Sequence, residues 1–189
     1  MAFVANQADF ADVLPRSLLD RLEVLEGQDL FIEELGGGLT NRNFKITRAD
    51  GERFVLRLSS NESTELSVNR ANEHANSRLA ADAGVGATVH GWLEDANVLL
   101  IGFLDGVTYE DDSFQVPGAI PRVADAVRRL HEGPRFVNEF DMFDIQAGYQ
   151  AKCVERGWWM PEGYLALNEH LPSMRAALDI QAEPTVPCN

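Results

Sequence analysis

The fold is decided by the stretch Gly36-Gly37-Gly38-Leu39-Thr40-Asn41-Arg42-Asn43-Phe44, in which three glycines lie between two apolar, strand-like runs. Glycine adopts a positive φ without steric penalty and has no side chain that would block a ligand. A loop of this kind can therefore bring backbone N–H groups against a bulky anion. A tight hairpin turn uses glycine for the first of these reasons alone. The loop predicts either a nucleotide phosphate site or a plain turn, and taken alone it favours the turn.

The composition is that of an acidic globular protein. The chain has 189 residues, of which 45% are hydrophobic and 24% are charged, and its formal net charge is −14. This length and apolar content predict one or two soluble domains with a hydrophobic core. A surface of this charge repels nucleic acid and anionic membranes, so neither is expected as a partner. A phosphate ligand is compatible with the charge, because a glycine loop or a single arginine can bind it locally.

The amino-terminal segment and the cysteines lead us to expect a cytoplasmic protein. Residues 1–9 lack the basic region and apolar core of a signal peptide, and no apolar run approaches the length of a membrane span. The two cysteines are far apart in sequence and the four histidines are scattered, which predicts reduced thiols and no metal site. These residues are Cys153, Cys188, His74, His90, His131 and His170.

Five strand-like runs occur in the first hundred residues. The pair Asp50-Gly51 predicts a hairpin between the second and third strands. Alternation along the third strand places Val55 and Arg57 on the face opposite to its apolar residues. The last run is continuously apolar, which is typical of a central strand. The five strands are expected over residues 29–35, 43–47, 53–58, 87–93 and 98–101.

Helical patterns flank the strands and fill the second half of the chain. One helix is expected before the first strand and another after the third, where Ser67 can cap it and Gly84 can end it. Residues 184–188 resemble the start of a further strand. The fold class predicted is α+β, with a first part at residues 1–103 and a helical second part at residues 104–189. The expected helices cover residues 14–25, 67–82, 120–131, 145–156 and 162–178.

The order of these elements resembles the protein-kinase-like fold, a five-stranded antiparallel N-lobe with one long helix followed by a helical C-lobe. Four motifs are similar to those of the choline/ethanolamine kinase and aminoglycoside phosphotransferase group, and the resemblance runs from about residue 30 to the carboxyl terminus. It implies a nucleotide-binding N-lobe and an incomplete C-lobe. The motifs are Gly37-Gly38-Leu39-Thr40-Asn41, Phe54-Val55-Leu56-Arg57-Leu58, Arg70-Ala71-Asn72-Glu73 and Leu130-His131.

The resemblance implies an ATP site. Phosphoryl transfer requires that the charge on the β and γ phosphates be neutralised. The loop can supply backbone donors, Arg57 can direct a planar guanidinium at the phosphates, and Glu73 would anchor that cation. In the family, the residues that follow the last strand hold the adenine. The implied nucleotide-binding residues are Gly37, Gly38, Leu39, Thr40, Asn41, Asn43, Arg57, Glu73, Ile101 and Phe103.

Each of these assignments has a plainer alternative. Arg57 can be an exposed strand residue, and Glu73 can be a solvated helix residue paired with Arg70 three positions earlier. The agreement between loop, strand and helix favours the nucleotide site over these alternatives. The pair Trp158-Trp159 also has two interpretations, since aromatic faces can bind a quaternary ammonium group or can pack in a core.

The resemblance also implies what this sequence lacks. The family uses a catalytic-loop Asp, an Asn that binds magnesium and a later Asp at the second metal site. Asn189 would fall near the His of the family's His-x-Asp motif, so all three would come after Asn189. We therefore expect no catalytic residue and no metal ligand within the chain. ATP and Mg²⁺ are the expected cofactors of the complete enzyme, and the chain alone is expected to be inactive.

The expected function is that of a small-molecule kinase whose acceptor is an alcohol, such as choline or ethanolamine. Thiamine, an amino sugar and an aminoglycoside are alternative acceptors. A pseudokinase-like module that binds a nucleotide or a partner without catalysis is a second hypothesis, and a structural α+β domain is a third. Because an incomplete C-lobe exposes apolar helix faces, we also expect self-association through Val123, Val127 and Leu130.

Overall fold

The computed structural model describes residues 5–6, 10–36, 41–59, 69–139 and 141–178. The chain divides into two compact units, Met1–Arg135 and Phe136–Asn189. The strands are β1 (Ala5–Asn6), β2 (Leu30–Leu35), β3 (Asn41–Arg48), β4 (Arg53–Ser59), β5 (Val89–Leu93) and β6 (Val98–Gly102). The helices are α1 (Arg16–Leu19), α2 (Arg70–Asp82), α3 (Ala119–Glu132), α4 (Met142–Arg156) and α5 (Leu171–Leu178).

The strands form one antiparallel sheet in the order β1-β2-β3-β4-β6-β5. The five predicted strands are all present, and the α+β fold class is confirmed. The two-residue β1 adds a sixth strand at the edge. The predicted hairpin at Asp50-Gly51 is confirmed, because Gly51 has φ 90° and its N–H donates to the carbonyl of Arg48 at 2.9 Å. The predicted central strand β6 lies between β4 and β5.

One face of the sheet, the core face, is apolar and packs against the segment that precedes β2. Alternation along each strand directs every second side chain to this face. This segment lies so close to β5 at Gly91 that a Cβ at this position would be 2.6 Å from the Leu22 side chain. The buried strand residues of this face are Leu30, Ile32, Phe44, Ile46, Phe54, Leu56, Val98 and Leu100, and they contact Leu14, Leu19, Leu22 and Leu25.

The single helix predicted over residues 14–25 is wrong in extent. Residues Arg16–Leu19 form α1, Glu23–Leu25 form a short 3₁₀ turn, and Leu22 between them is extended, with φ −96° and ψ 106°. The predicted apolar stripe contains Leu18, but Leu19 is the residue that is fully buried. The break places Leu19, Leu22 and Leu25 together in the core, so tertiary burial outweighs helix periodicity here.

The N-cap of helix α2 lies two residues later than predicted. Its N-cap is Asn69, whose side-chain oxygen accepts a hydrogen bond from the N–H of Asn72 at 3.1 Å. Asparagine satisfies the first free N–H groups of a helix as well as serine does. Ser67, the predicted cap, lies outside the described residues. Gly84, with φ 70°, ends the helix as predicted.

The second unit contains α4 and α5. The predicted helix over residues 162–178 is interrupted, since Tyr164–Glu169 form a 3₁₀ helix and α5 starts at Leu171. Pro172 explains the break, because a proline inside a continuous α-helix lacks an N–H and clashes with the carbonyl four residues earlier. Residues 184–188, predicted to begin a strand, lie outside the described residues.

The predicted lobe boundary between residues 103 and 104 stays a prediction. Packing assigns α3 to the first unit. Among the helices that the structure describes, none is both long and apolar enough to cross a membrane.

Candidate nucleotide site

The face of the sheet opposite to the core carries the predicted site, and we call it the α2 face. Antiparallel register pairs Asn43 with Arg57 and Arg57 with Leu99, and residues directly opposite in neighbouring strands share a face. Trp92 of β5 pairs with Leu99 in turn. Helix α2 lies on this face, since its His74 ring stacks on Trp92 with centroids 5.4 Å apart.

Arg57 and Glu73 form the predicted ion pair. Nη1 of Arg57 donates to Oε1 of Glu73, and Nε donates to Oδ1 of Asn43 at 3.4 Å. The Arg57 side chain is one-third exposed, so the guanidinium is oriented by two partners and can still reach a ligand. Arg57 is thus a paired, partly exposed strand residue.

Arg70 joins the same cluster. Its Nη1 donates to Oε2 of Glu73 at 2.6 Å, and its Nη2 donates to Oδ1 of Asn41 at 3.0 Å. Glu73 therefore contacts Arg57 as the resemblance implied and Arg70 as the plainer alternative proposed. The bond to Asn41 links α2 to the residue that follows the glycine loop. Sequence spacing indicated the Arg70–Glu73 contact but gave no sign of the contact with Asn41, which depends on how α2 lies across β3.

The described cations of the α2 face differ in how they are paired. Lys45 pairs with Glu33 at 2.8 Å, and Arg53 pairs with Asp105 at 2.8 Å, so each of these cations has its own carboxylate. Arg57 and Arg70 both contact the one carboxylate of Glu73. Two guanidinium groups therefore lie together at the end of β4 that carries Arg57.

Ile101 and Phe103 lie toward the other end of β4. Ile101 is directly opposite Val55, and the backbone N–H of Phe103 donates to the carbonyl of Arg53 at 3.0 Å. The Phe103 ring lies 5.5 Å from Nζ of Lys45 and 5.2 Å from Cζ of Arg53. Val55 and Lys45 thus lie at this end of the α2 face beside Ile101 and Phe103, although neither was among the residues predicted for the site.

The described part of the predicted site thus comprises Asn41, Asn43, Arg57, Glu73, Ile101 and Phe103, and all six belong to the α2 face or contact it. The other four predicted residues, Gly37, Gly38, Leu39 and Thr40, lie outside the described residues. Within the described ranges, no three His, Cys, Asp or Glu residues come together as a metal site.

His74 provides a pH-dependent prediction for the packing of α2. Burial, and secondarily the nearby charge of Arg78, lower the pKa of His74 below its usual value of 6.5. As the pH falls, His74 therefore binds a proton in the unfolded chain before it does so in the folded chain. The contribution of neutral His74 to the free energy of unfolding is fully present above pH 6.5 and is lost as the pH drops below this value. Urea denaturation between pH 5 and 8 should show this loss in the wild type. A His74→Phe variant keeps a ring against Trp92 and should lose less stability between pH 8 and pH 5. An equal change in the free energy of unfolding with pH for the two proteins would contradict the prediction.

Comparison with known sequences and folds points to one family. Residues 32–187 match the sequence profile of the phosphotransferase enzyme family. No curated protein matches the chain.

Three solved structures are similar to the chain. A choline/ethanolamine kinase family protein from Mesorhizobium loti is 29% identical with a TM-score of 0.68, and the match covers 94% of this chain and 55% of that one. The choline kinase LicA from Streptococcus pneumoniae is 19% identical with a TM-score of 0.63, over 78% of this chain and 51% of that one. LicA in complex with AMP is 17% identical with a TM-score of 0.61, over 87% and 56%. The chain therefore spans about half the length of these structures.

Proposed function

The chain belongs to the phosphotransferase enzyme family, and we propose on this premise that it forms the ATP-binding part of a small-molecule kinase. The proposed acceptor is an alcohol such as choline or ethanolamine, and the proposed reaction transfers the γ-phosphate of ATP to its hydroxyl group. The observation that carries the proposal is the cluster of Arg57, Arg70 and Glu73 beside Asn41, the residue that follows the glycine loop.

This cluster has the properties that a phosphate site requires. The guanidinium of Arg57 is held by Glu73 and Asn43 but remains one-third exposed, so it is oriented before the ligand arrives. A planar guanidinium can donate two parallel hydrogen bonds to phosphate oxygens. Two guanidinium groups beside one carboxylate are suited to a polyanion locally, although the whole chain carries a net charge of −14.

The other end of the α2 face suits a nucleobase. Val55 and Ile101 present aliphatic side chains, and Phe103 presents an aromatic ring, with neutralised cations at its sides. Arg53 and Arg57 are four residues apart on β4, which corresponds to about 13 Å along an extended strand. An extended nucleotide with its base near Phe103 and its phosphates near Arg57 fits this separation. LicA, a similar fold, was solved in complex with AMP.

The choice of acceptor rests on the names of the similar structures and on charge. Two of them are choline or choline/ethanolamine kinases, and choline and ethanolamine are cations that an acidic protein attracts. Thiamine, an amino sugar and an aminoglycoside are the alternatives. Trp158 and Trp159, which are 51% and 84% exposed, are open to contact with a cationic acceptor, but Arg156 already lies 5.1 Å from the Trp158 ring.

Magnesium has no proposed ligands here. The described residues do not include a carboxylate cluster that fits the ion, so we derive no step through it. What the chain's own residues do is bind and orient the phosphates and support the base.

The test is calorimetric titration of the chain with ATP, followed by a transfer assay with choline, ethanolamine and the alternative acceptors. We expect ATP to bind. No ATP binding by a folded sample would refute the nucleotide site. Transfer to one of the acceptors would identify the substrate, and binding without transfer to any of them would leave the non-catalytic nucleotide-binding module as the function.

Self-association is a further expected property of the isolated chain. On α3, Ile120, Val123 and Val127 are 64%, 38% and 44% exposed and follow one another at helical spacing. Such a stripe favours association, because its burial removes apolar surface from water. Sedimentation at increasing concentration should show oligomers for the wild type and mainly monomers for Val123→Asp. A wild type that stays monomeric at all concentrations would contradict this prediction.

A further inference from the structure

The carboxyl ends of α2 and α3 meet in the first unit. Gly133 is the C-cap residue of α3, and Ala83 is the C-cap residue of α2. A Cβ built on Gly133 would lie 2.8 Å from the Cβ of Ala83, a separation that real side chains do not tolerate. Beside this contact, Nη1 of Arg129 donates to the carbonyl of Gly84 at 3.3 Å. A residue larger than glycine at position 133 therefore has to displace one of the two helix ends.

Helix α2 is attached to the sheet by polar and aromatic contacts. Its one buried residue is Asn76, so no fully buried apolar side chain of the described helix attaches it to the sheet. The contacts that hold it include the ion pair of Glu73 with Arg57, the hydrogen bond from Arg70 to Asn41 and the stack of His74 on Trp92. A helix without an apolar stripe moves readily when one of its discrete contacts changes. A displacement of the carboxyl end of α2 is therefore expected to reach Glu73.

We propose that Gly133 is a positioning residue that acts through α2 to place Glu73 opposite Arg57. Ala83 and Glu73 are ten residues apart on one continuous helix, about 15 Å along its axis. The Cβ of Ala83 is fixed to the backbone and cannot rotate away, so an added methyl group at position 133 displaces the backbone at the end of α2 or of α3, and we expect α2 to move. The ion pair depends on direct contact, and a shift of this size changes its geometry. The nucleotide part of this proposal rests on the proposed ATP site.

The test compares Gly133→Ala with the wild type by two measurements. The first needs no nucleotide: it is the NMR signal of the Arg57 Nε–H group, assigned by its absence in Arg57→Lys. We expect this signal to shift in Gly133→Ala. The second is the ATP dissociation constant, which we expect to rise about five- to tenfold. Gly148→Ala is the control, because no atom lies within 4 Å of a Cβ at that position, and it should leave both measurements unchanged.

A second substitution separates positioning from general damage. Ala83→Gly removes the nearest atom that the new methyl group would contact and the one on α2, so Gly133→Ala combined with Ala83→Gly should restore the Arg57 signal and the ATP affinity. Failure of this rescue, or a wild-type Arg57 signal in Gly133→Ala alone, would overturn the proposal. If Gly133→Ala does not fold, Arg129→Ala loosens the same contact without added atoms and should shift the Arg57 signal. An unchanged signal there would overturn the proposal too. If the wild type binds no ATP, the proposed function fails while the Arg57 signal still decides the positioning role.

Discussion

Replacement of Arg57 by alanine is expected to weaken ATP binding by about 10- to 100-fold, the range that corresponds to the loss of one charge-assisted contact. Arg57 is a cation of the α2 face that is oriented by its neighbours and is one-third exposed. Its removal also takes one positive charge from this face. The measurement is calorimetric titration at fixed ionic strength.

Two further variants show whether the loss of ATP affinity is specific to the guanidinium of Arg57. Arg57→Lys keeps the charge but not the planar pair of donors, so its affinity should lie between those of the wild type and Arg57→Ala. Arg21→Ala removes an exposed arginine whose ion pair with Asp95 involves no residue of the site, and it should bind ATP as the wild type does. An Arg57→Ala protein that binds within a factor of two of the wild type would show that the phosphates lie elsewhere.

The sheet and the Arg57–Glu73 pair could be predicted because they follow from short-range patterns. A strand repeats every two residues, so the buried positions of Phe54 and Leu56 fix Arg57 on the opposite face whatever the neighbouring strands are. Glu73 follows from the order of motifs, and the ion pair confirms that strand and helix meet. The hairpin at Gly51 follows in the same way from local turn chemistry.

Prediction from the sequence fails where tertiary packing outweighs a local pattern. Leucines at residues 14–25 have helical spacing, but burial against the core face requires an extended residue at Leu22. The contacts of Arg70 with Asn41 and of Gly133 with Ala83 join residues far apart in sequence. No single-sequence pattern encodes them, because they depend on where α2 lies relative to the sheet and to α3.

Replacement of Glu73 by glutamine has two opposing effects on ATP binding. The carboxylate that holds Arg57 becomes a neutral amide. A hydrogen bond between charged groups contributes about 1.5–3 kcal/mol, and its loss leaves the Arg57 guanidinium less well oriented. At the same time Arg57 and Arg70 lose the carboxylate that they share, and their added attraction for phosphate is about 1 kcal/mol or less at this partly exposed site. The loss of orientation outweighs the added attraction, so ATP binding should weaken, by roughly fivefold to tenfold near 0.15 M salt.

The salt dependence distinguishes the two effects. Salt screens the added attraction but has little influence on a guanidinium that is no longer oriented. The defect of Glu73→Gln relative to the wild type should therefore grow as the salt concentration rises. The double variant Arg57→Ala/Glu73→Gln should bind no worse than Arg57→Ala, because Glu73 acts through Arg57. Additive losses, or a Glu73→Gln protein that binds more tightly than the wild type at every salt concentration, would show that Glu73 does not orient the phosphate-binding cation.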